Sequence, residues 1–294
     1  MTLRNRTRAF VIQAATLFRT DALALHAQRR RAQGIVIAMH ETPARLQTKF
    51  REQLEWASQH FTITSLDGFA QIWTERETVT REQPLLLYTF DDGRESNYRV
   101  AAPLLESFGG RGLFFVVPAF SKCADHEQAL SFYRTRINPG LRRGQEDAED
   151  WLPMNPDQIA DLAARGHAIG NHTLTHEKLV GLSPEQLERE IGESAHTLTA
   201  WTKRNVDAFA WTFGWDAIDA NAWNVVRRYH RFCFSPCAGA VNGLIDQPSL
   251  LWRREIELRY SPSESRFFYS GLADVSWSGR RARLRRMLTE PSAQ

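Results

Sequence analysis

Short apolar runs alternate along this chain with longer segments in which apolar residues recur every three or four positions. The first pattern is typical of buried strands and the second of amphipathic helices. Strands are predicted at 35–39, 61–66, 85–90, 113–117, 167–170, 206–211 and 232–234. Helices are predicted at 45–60, 67–73, 98–108, 156–164, 184–199 and 221–229. Strands that alternate with helices predict a parallel sheet, and closure into a barrel is economical for 294 residues.

Three segments depart from this alternation. Residues 1–34 are basic and helical in pattern, and the first 31 hold seven arginines against one acid. Residues 119–155 are polar and mixed in charge, which indicates an insertion beside the mouth of a site that carries one short helix. Residues 280–286 contain five arginines and no acid, and the residues after them are predicted to be a disordered tail. We therefore expect a barrel domain over 35–279 that carries the insertion, with a basic extension before it and a basic tail after it.

Composition narrows the class of protein. The hydrophobic content of 43% and the charged content of 24% are ordinary for a globular protein. The net charge of +3 is too small to indicate a nucleic-acid-binding protein. Three cysteines, an odd and sparse set, predict reduced thiols rather than a disulfide framework. The N-terminus lacks the pattern of a signal peptide. We expect a cytoplasmic protein whose basic ends either contact the anionic inner face of a membrane or are simply solvated helix faces.

Polar side chains follow three predicted strands at the point where each strand ends. His40 follows strand 35–39, Asp91 and Asp92 follow strand 85–90, and His172 begins a motif that ends at His176 after strand 167–170. Each group alone has an ordinary explanation as a turn or a solvated helix face. Because the carboxyl ends of parallel strands meet at one edge, we expect the groups to lie together and form a site.

Two imidazoles and one carboxylate form a three-ligand site for a divalent metal, with positions left for water and substrate. One helical turn would put His172 and His176 on the same side, and Asp92 is the natural carboxylate. Asp91 should point away from Asp92 and remain free to accept a proton. The set suits a metal hydrolase or a non-haem iron oxygenase, and the adjacent Asp91 favours the hydrolase.

The two motifs resemble a known family. Thr89-Phe-Asp-Asp-Gly93 and His172-Thr-Leu-Thr-His176 are similar to the first two signature motifs of the polysaccharide deacetylases, the NodB-homology proteins of carbohydrate esterase family 4. The flanking sequences Arg111–Val117 and Ala164–His172 also resemble the family, and the likeness extends over roughly residues 35–260. The resemblance implies a distorted (β/α)7 barrel that hydrolyses an N-acyl group, typically acetyl, from an amino sugar.

The resemblance also implies roles for individual residues. Asp91 matches the general base. Asp92, His172 and His176 match the ligands of a metal that is usually zinc and sometimes cobalt or nickel. A backbone N–H near Phe213, Gly214 or Trp215 would hold the oxyanion of the tetrahedral intermediate.

The chain departs from the family pattern in two places. Its third motif is Phe209-Ala-Trp-Thr-Phe-Gly214, which lacks the arginine that orients the base, so we expect Arg253 or Arg254 from a later strand to replace it. The family's Leu-x-His motif, which supplies the general acid, is missing after residue 230. His40 is the first candidate for this acid, and His230, expected at an exposed helix end, is the second.

A final resemblance suggests the substrate. Residues 265–274 and the basic run after them are similar to deacetylase-like proteins of surface-polysaccharide assembly. This implies a metal-dependent hydrolase that removes acetyl or formyl from a nucleotide-linked, lipid-linked or growing glycan amino sugar in polysaccharide or lipopolysaccharide assembly. The altered third motif and the missing acid leave an alternative, a weakly active or inactive glycan-binding protein on the same scaffold.

Overall fold

A computed structural model describes residues 20–31, 33–74, 82–141 and 151–289. The strands are β1 (Gly34–Met39), β2 (Thr62–Ile63), β3 (Leu85–Phe90), β4 (Leu113–Val116), β5 (Ala168–Asn171), β6 (Ala208–Ala210), β7 (Phe232–Ser235), β8 (Ala240–Val241), β9 (Leu251–Trp252) and β10 (Arg254–Glu255). The α-helices are α1 (Thr20–Arg31), α2 (Gln47–Ser58), α3 (Leu66–Thr74), α4 (Ala102–Ser107), α5 (Pro118–Ser121), α6 (His126–Phe132), α7 (Pro156–Ala164), α8 (Pro184–Leu187), α9 (Ser194–Thr202), α10 (Ala220–Tyr229), α11 (Pro262–Tyr269) and α12 (Ser278–Thr289). Among these, none is long and apolar enough to cross a membrane.

The sheet forms a nearly closed barrel. Its strand order is β10, β1, β3, β4, β5, β6, β7 and β9, and all of these neighbours are parallel. Only Arg253 separates β9, which pairs with β7, from β10, which pairs with β1. The segment 251–255 therefore bridges both edges of the sheet and acts as a seventh, split strand. This arrangement confirms the predicted (β/α)7 barrel.

The interior of the barrel is filled at the amino ends of the strands. Leu85 and Leu87 of β3 belong to an inner apolar cluster with Phe115 and Phe234. Phe69 of α3 joins this cluster at the amino end of β1. Alternate residues of β3 face the surrounding helices instead, as strand geometry requires. Beyond this cluster, at the carboxyl ends of the strands, the barrel opens into a cavity.

Several local predictions are confirmed and two need correction. Asn155 and Ser183 form capping boxes, each followed by a proline, at the predicted starts of α7 and α8. The predicted strand 61–66 is reduced to the two residues of β2. Helix α3 begins at Leu66 rather than at the predicted residue 67, because Ser65 caps it: its hydroxyl accepts a hydrogen bond from the backbone N–H of Gly68 at 3.1 Å.

The segments outside the predicted barrel are more ordered than the sequence pattern suggested. The start of the expected basic tail belongs to α12, whose Leu284 and Leu288 are buried against the barrel. The expected insertion holds α5, α6 and a π-helical turn over Tyr133–Ile137, while its residues 142–150 lie outside the described chain. The predicted N-terminal helix is described only as α1, and residues 1–19 lie outside the described chain as well.

Arg254 anchors the outer face of the split strand. Its guanidinium, which is 1% exposed, donates to both carboxylate oxygens of Asp274, with a shortest distance of 2.6 Å. It also donates to the backbone oxygen of Tyr269 at 2.8 Å and to Gln28 Oε1 of α1 at 2.7 Å. This network ties α1 and the segment after α11 to the barrel.

We expect Asp274→Asn to lower the free energy of unfolding by about 3 kcal/mol, because the substitution leaves the charge of Arg254 buried without its counterion. Urea unfolding followed by circular dichroism measures the change. The matched control is Arg99→Gln, which breaks the exposed pair of Arg99 with Glu95 and should change stability by less than about 1 kcal/mol. Equal, small effects of the two variants would show that the Arg254 network does not stabilise the fold.

Candidate active site

A cavity of about 460 Å³ lies at the carboxyl ends of the barrel strands. Seven residues predicted from the sequence line it: His40, Asp91, Asp92, His172, His176, Phe213 and Arg253. The segment expected as an insertion also contributes to the wall, with Tyr133, Ile137, Asn138, Leu141 and Trp151. Side chains from β1, β3 and β5 thus meet at one edge, as their positions at strand ends predicted.

Asp92 projects toward both histidines because the backbone turns sharply after β3. Its φ of 71° lies in the left-handed region, which breaks the extended conformation one residue after Asp91. Asp92 Oδ1 lies 3.6 Å from His172 Nε2 and 3.5 Å from His176 Nε2. Arg94 donates to the other oxygen, Oδ2, through Nη2 at 2.6 Å and Nε at 3.2 Å. The carboxylate is therefore held with one oxygen free to face the imidazoles.

The two histidines lie in a loop, and the predicted helical turn between them is wrong. Thr173 and His176 have φ values of 65° and 58°, so the chain cannot continue as a right-handed helix. The backbone N–H of Thr173 donates instead to the side-chain oxygen of Asn171 at 2.9 Å. Both imidazoles converge because this compact turn, rather than helical spacing, brings them together.

Backbone carbonyls fix the orientation of both rings. His172 Nδ1 lies 2.9 Å from the carbonyl oxygen of Ala210, and His176 Nδ1 lies 2.8 Å from that of Arg136. A carbonyl oxygen can only accept, so each Nδ1 carries the proton and each Nε2 presents a lone pair. Such contacts are the usual support of metal-binding histidines.

The donor set of Asp92, His172 and His176 fits a divalent metal. Their ligand atoms all lie within 4.8 Å of one another. A tetrahedral ion with bonds near 2.0 Å requires ligand atoms about 3.3 Å apart, close to the separations of Oδ1 from each Nε2. Burial lowers the pKa of His172 to about 4, which keeps the ring neutral. Burial opposes ionisation of Asp92, but Arg94 and the histidines outweigh it and hold the pKa of Asp92 below its ordinary value.

Arg253 holds the second carboxylate, Asp91. Its Nη1 donates to Asp91 Oδ1 at 2.6 Å and to Thr89 Oγ1 at 3.3 Å, and its guanidinium lies over the ring of Phe115. Burial alone would raise the pKa of Asp91, yet Arg253, followed by His172 and His40, lowers it below its ordinary value. Asp91 is therefore a buried but ionised carboxylate. The other predicted arginine, Arg254, points to the opposite face and does not reach the cavity.

His40 lies at the rim of the cavity with its side chain 37% exposed. Its Nδ1 is 3.8 Å from Glu255 Oε1, and its backbone oxygen accepts a hydrogen bond from Asn97 at 2.9 Å. His40 thus lines the same cavity as Asp91 and Asp92 and is accessible from outside.

The third motif, residues 209–214, contacts both histidines through Ala210 and Phe213. The ring of Phe213, which is 43% exposed and has a φ of 60°, packs 4.8 Å from that of His176. Gly214 and Trp215 do not line the cavity, since the Trp215 ring lies under Arg280 and Arg283 of α12. Of the three residues predicted to bind substrate, the structure therefore brings Phe213 alone to the cavity wall.

Other cavity residues were missed by sequence reasoning. Arg94 is buried beside Asp92 and donates to the Tyr133 hydroxyl at 3.2 Å, and its position directly after Asp91-Asp92-Gly93 could have flagged it. Trp211 lines the cavity, and within the described chain its buried indole nitrogen has no hydrogen-bond partner. Tyr133 and Trp151 come from the expected insertion, where no periodic pattern pointed to them.

His230 lies directly at the end of α10, but it is buried there and not exposed as predicted. It is 3% exposed, stacks on Phe209, and places Nδ1 2.8 Å from the Val206 oxygen. Its Nε2 accepts from Asn171 at 3.1 Å, so the ring packs under β5 and does not line the cavity. The residue after α10 turns inward because this pocket satisfies both ring nitrogens. His230 is thereby removed as a candidate acid, and burial lowers its pKa to about 4.

Comparison with known proteins identifies relatives of this site and fold. A family model described as polysaccharide deacetylase matches residues 78–231, just over half of the chain. A protein of Bacillus subtilis (strain 168) that is named for the same family, YxkH, is 24% identical over 146 residues, which cover 50% of this chain and 42% of YxkH. The matched part spans less than half the length of the curated relatives.

Solved structures share the fold. The deacetylase PplD of Streptococcus pyogenes, solved in complex with acetate, has a TM-score of 0.61 at 16% identity, over 80% of this chain and 96% of PplD. IcaB of Ammonifex degensii has a TM-score of 0.58 at 20% identity, over 83% of this chain and 97% of IcaB. At identities of 16% and 20%, the similarity shows that these proteins share the barrel fold.

The buried His230 should make stability depend on pH. The unfolded chain binds a proton at this residue below pH 6.5, whereas the folded chain does so only near pH 4. Stability should therefore decrease as the pH falls through this window, by up to about 1.4 kcal/mol per pH unit for one proton. Urea unfolding between pH 7.5 and 4.5 should give a shallower acid-side slope for His230→Gln. The exposed His196, changed to Gln, is the control, and identical slopes for both variants would contradict the prediction.

Proposed function

Because the chain belongs to the polysaccharide deacetylase family, we propose that it is a metal-dependent hydrolase that removes an N-acyl group, acetyl or formyl, from an amino sugar. The observation that carries the proposal is the pairing of Asp91 with Arg253 beside the cluster of Asp92, His172 and His176. An ionised carboxylate that is not itself a metal ligand, next to a three-ligand donor set, suits the hydrolysis of an amide.

Each carboxylate has its own role. Asp92, His172 and His176 would hold the metal, which when bound supplies a Lewis acid and lowers the pKa of a coordinated water. Asp91 accepts a proton from the attacking water. Arg253 keeps Asp91 ionised and oriented, and so replaces the arginine that the third motif lacks.

His40 is proposed as the general acid that protonates the leaving amine. It lies at the rim of the same cavity as Asp91, where a departing sugar amine would reach solvent, and Glu255 is close enough to orient its ring. The backbone N–H of Phe213 is proposed to hold the oxyanion, since Phe213 lies beside His176 whereas Gly214 and Trp215 do not line the cavity.

The wider assignment follows from the sequence. We propose zinc as the metal, with cobalt or nickel as substitutes, and a nucleotide-linked, lipid-linked or growing glycan of polysaccharide or lipopolysaccharide assembly as the substrate. The barrel over 35–279, including 119–155, would be the catalytic unit. A cytoplasmic location fits the sparse cysteines, and the basic ends would contact the anionic inner face of the membrane.

A glycan-binding protein without turnover is the second candidate. The third motif without arginine and the missing Leu-x-His motif favour it. The contact between Arg253 and Asp91 favours the enzyme, because a protein that only binds glycans has no need of an oriented, ionised carboxylate in the cavity.

The direct test is acyl release. Zinc-loaded protein should release acetate or formate from N-acylated nucleotide sugars, lipid-linked sugars or oligosaccharides, and a chelator should abolish the release until zinc or cobalt is restored. Asp91→Asn should reduce turnover by at least about 10²-fold while zinc binding, measured by calorimetry, persists. Glycan binding without release of either acid from any substrate would support the second candidate instead.

Two substrates that differ in their leaving group can distinguish a general acid at His40 from a purely structural role of this residue. His40→Gln should lower kcat for an N-acetyl amino sugar by about 10²-fold or more with little change in KM. On 4-nitrophenyl acetate, whose leaving group departs without protonation, the loss should be much smaller. His196→Gln should match the unmodified protein on both substrates. Equal losses of His40→Gln on amide and ester would exclude His40 as the acid.

A further inference from the structure

The π-helical turn Tyr133–Ile137 lies outside the barrel strands but reaches the proposed metal ligands. It follows α6, and both of its end residues line the cavity. The turn contacts His176 directly and Asp92 through Arg94. Two of the three proposed ligands therefore have support from a segment that is not part of the sheet.

Arg136 holds the loop of His176 through two different groups. Its backbone oxygen accepts the hydrogen bond of His176 Nδ1–H at 2.8 Å, and its Nη1 donates to Glu177 Oε2 at 2.6 Å. The carbonyl is available because the turn ends at Ile137, and the last carbonyls of a helix have no partner within it. Arg136 thus fixes both the imidazole of His176 and the side chain of the residue after it.

The backbone of His176 needs such support. Its φ of 58° lies in the left-handed region, which is unfavourable for a residue with a Cβ atom and persists only where surrounding contacts hold it. The backbone N–H of Glu177 donates to Thr173 Oγ1 at 3.2 Å, and its backbone oxygen accepts from the Thr212 hydroxyl at 2.8 Å. The ion pair with Arg136 adds a third contact at Glu177, and this contact connects the histidine loop to the turn.

Tyr133 supports the carboxylate ligand from the other end of the turn. Its hydroxyl accepts a hydrogen bond from Arg94 Nη1 at 3.2 Å, and the Arg94 guanidinium lies 5.1 Å from the centre of its ring. The same guanidinium donates to Asp92 Oδ2 through Nη2 and Nε. Tyr133 therefore helps to keep Arg94 on Oδ2, which leaves Oδ1 of Asp92 facing the imidazoles.

We propose that this turn completes the metal centre, with Tyr133 and Arg136 as positioning residues for Asp92 and His176. The inference rests on the proposed metal site, and it goes further because it makes metal affinity depend on a segment outside the barrel strands. Ligands whose orientation is fixed before the metal arrives bind it more tightly, and partners of this kind usually contribute strongly to affinity. A turn that served only to pack against the barrel would leave metal affinity unchanged when its polar contacts are lost.

The zinc affinity of the full chain tests the proposal. Competition with a chelating dye should show zinc binding weakened about tenfold in Tyr133→Phe and in Arg136→Gln, because each substitution removes a polar contact that orients a ligand. Arg136→Lys keeps a positive charge beside Glu177 and should retain most of the affinity. An exposed ion pair contributes little to the stability of a fold, so Arg136→Gln should unfold at the same urea concentration as the unmodified protein.

Two matched control variants change residues that do not line the cavity. Arg228→Gln breaks an ion pair with Glu188 that has the same distance of 2.6 Å as the pair of Arg136, and a similar exposure. Tyr98→Phe removes the hydroxyl of another tyrosine whose ring lies under an arginine, here Arg165. Neither control should change zinc affinity.

The absorption spectrum of the cobalt-loaded protein supplies a second measurement, since its visible bands depend on the geometry of the ligands. Both turn variants should change this spectrum, and both controls should leave it unchanged. Unchanged zinc affinity and cobalt spectra in the turn variants of a protein that binds zinc would overturn this inference but not the proposed enzyme. Equal losses of affinity in the controls would also overturn it, because general destabilisation would then explain them. A chain that binds no zinc would overturn the metal site itself and this inference with it.

Discussion

The ion pair between Arg253 and Asp91 connects closure of the barrel with the chemistry of its cavity. Arg253 is the single residue between the strand that pairs with β7 and the strand that pairs with β1. Its side chain points inward and reaches Asp91 at 2.6 Å. If this seam opened, the guanidinium would withdraw and leave a buried carboxylate without its counterion, which is costly in free energy. Fold and site therefore stabilise each other through one contact.

The other carboxylate of the cavity, Asp92, also depends on a positively charged partner. Two adjacent carboxylates cannot both be buried and ionised unless each has its own positive partner. Asp91 has Arg253, and Asp92 has Arg94, which is itself supported by the Tyr133 hydroxyl and ring. Arg94 lies only two residues after Asp92, whereas Arg253 comes from the far end of the barrel, 162 residues after Asp91. The separation of the two carboxylates into different roles therefore depends on which arginine each one contacts.

The barrel and the cluster at its carboxyl edge could be predicted from the sequence, because buried strands and the residues that end them leave local patterns. Asp91, Asp92, His172 and His176 were found in this way. What escaped prediction depends on long-range packing or on backbone conformation. The histidine turn depends on a left-handed backbone conformation at Thr173 and His176, which could not be predicted from these residue types. The choice between Arg253 and Arg254 depends on which face each presents, and the pocket that buries His230 is formed by three separate elements.

The two neighbouring arginines of the split strand have a consequence for how this chain tolerates change in length. Side chains alternate along an extended segment, so Arg253 faces the cavity and Arg254 faces Asp274 outside. Insertion or deletion of one residue just before them would exchange their faces. An arginine would still point inward: a deletion would bring Arg254 to the place of Arg253, and an insertion would put Arg254 two residues further along the strand. The doublet thus makes the charge of the cavity robust to such a change while its geometry remains sensitive. We expect natural variation in length to avoid the five residues that close the ring.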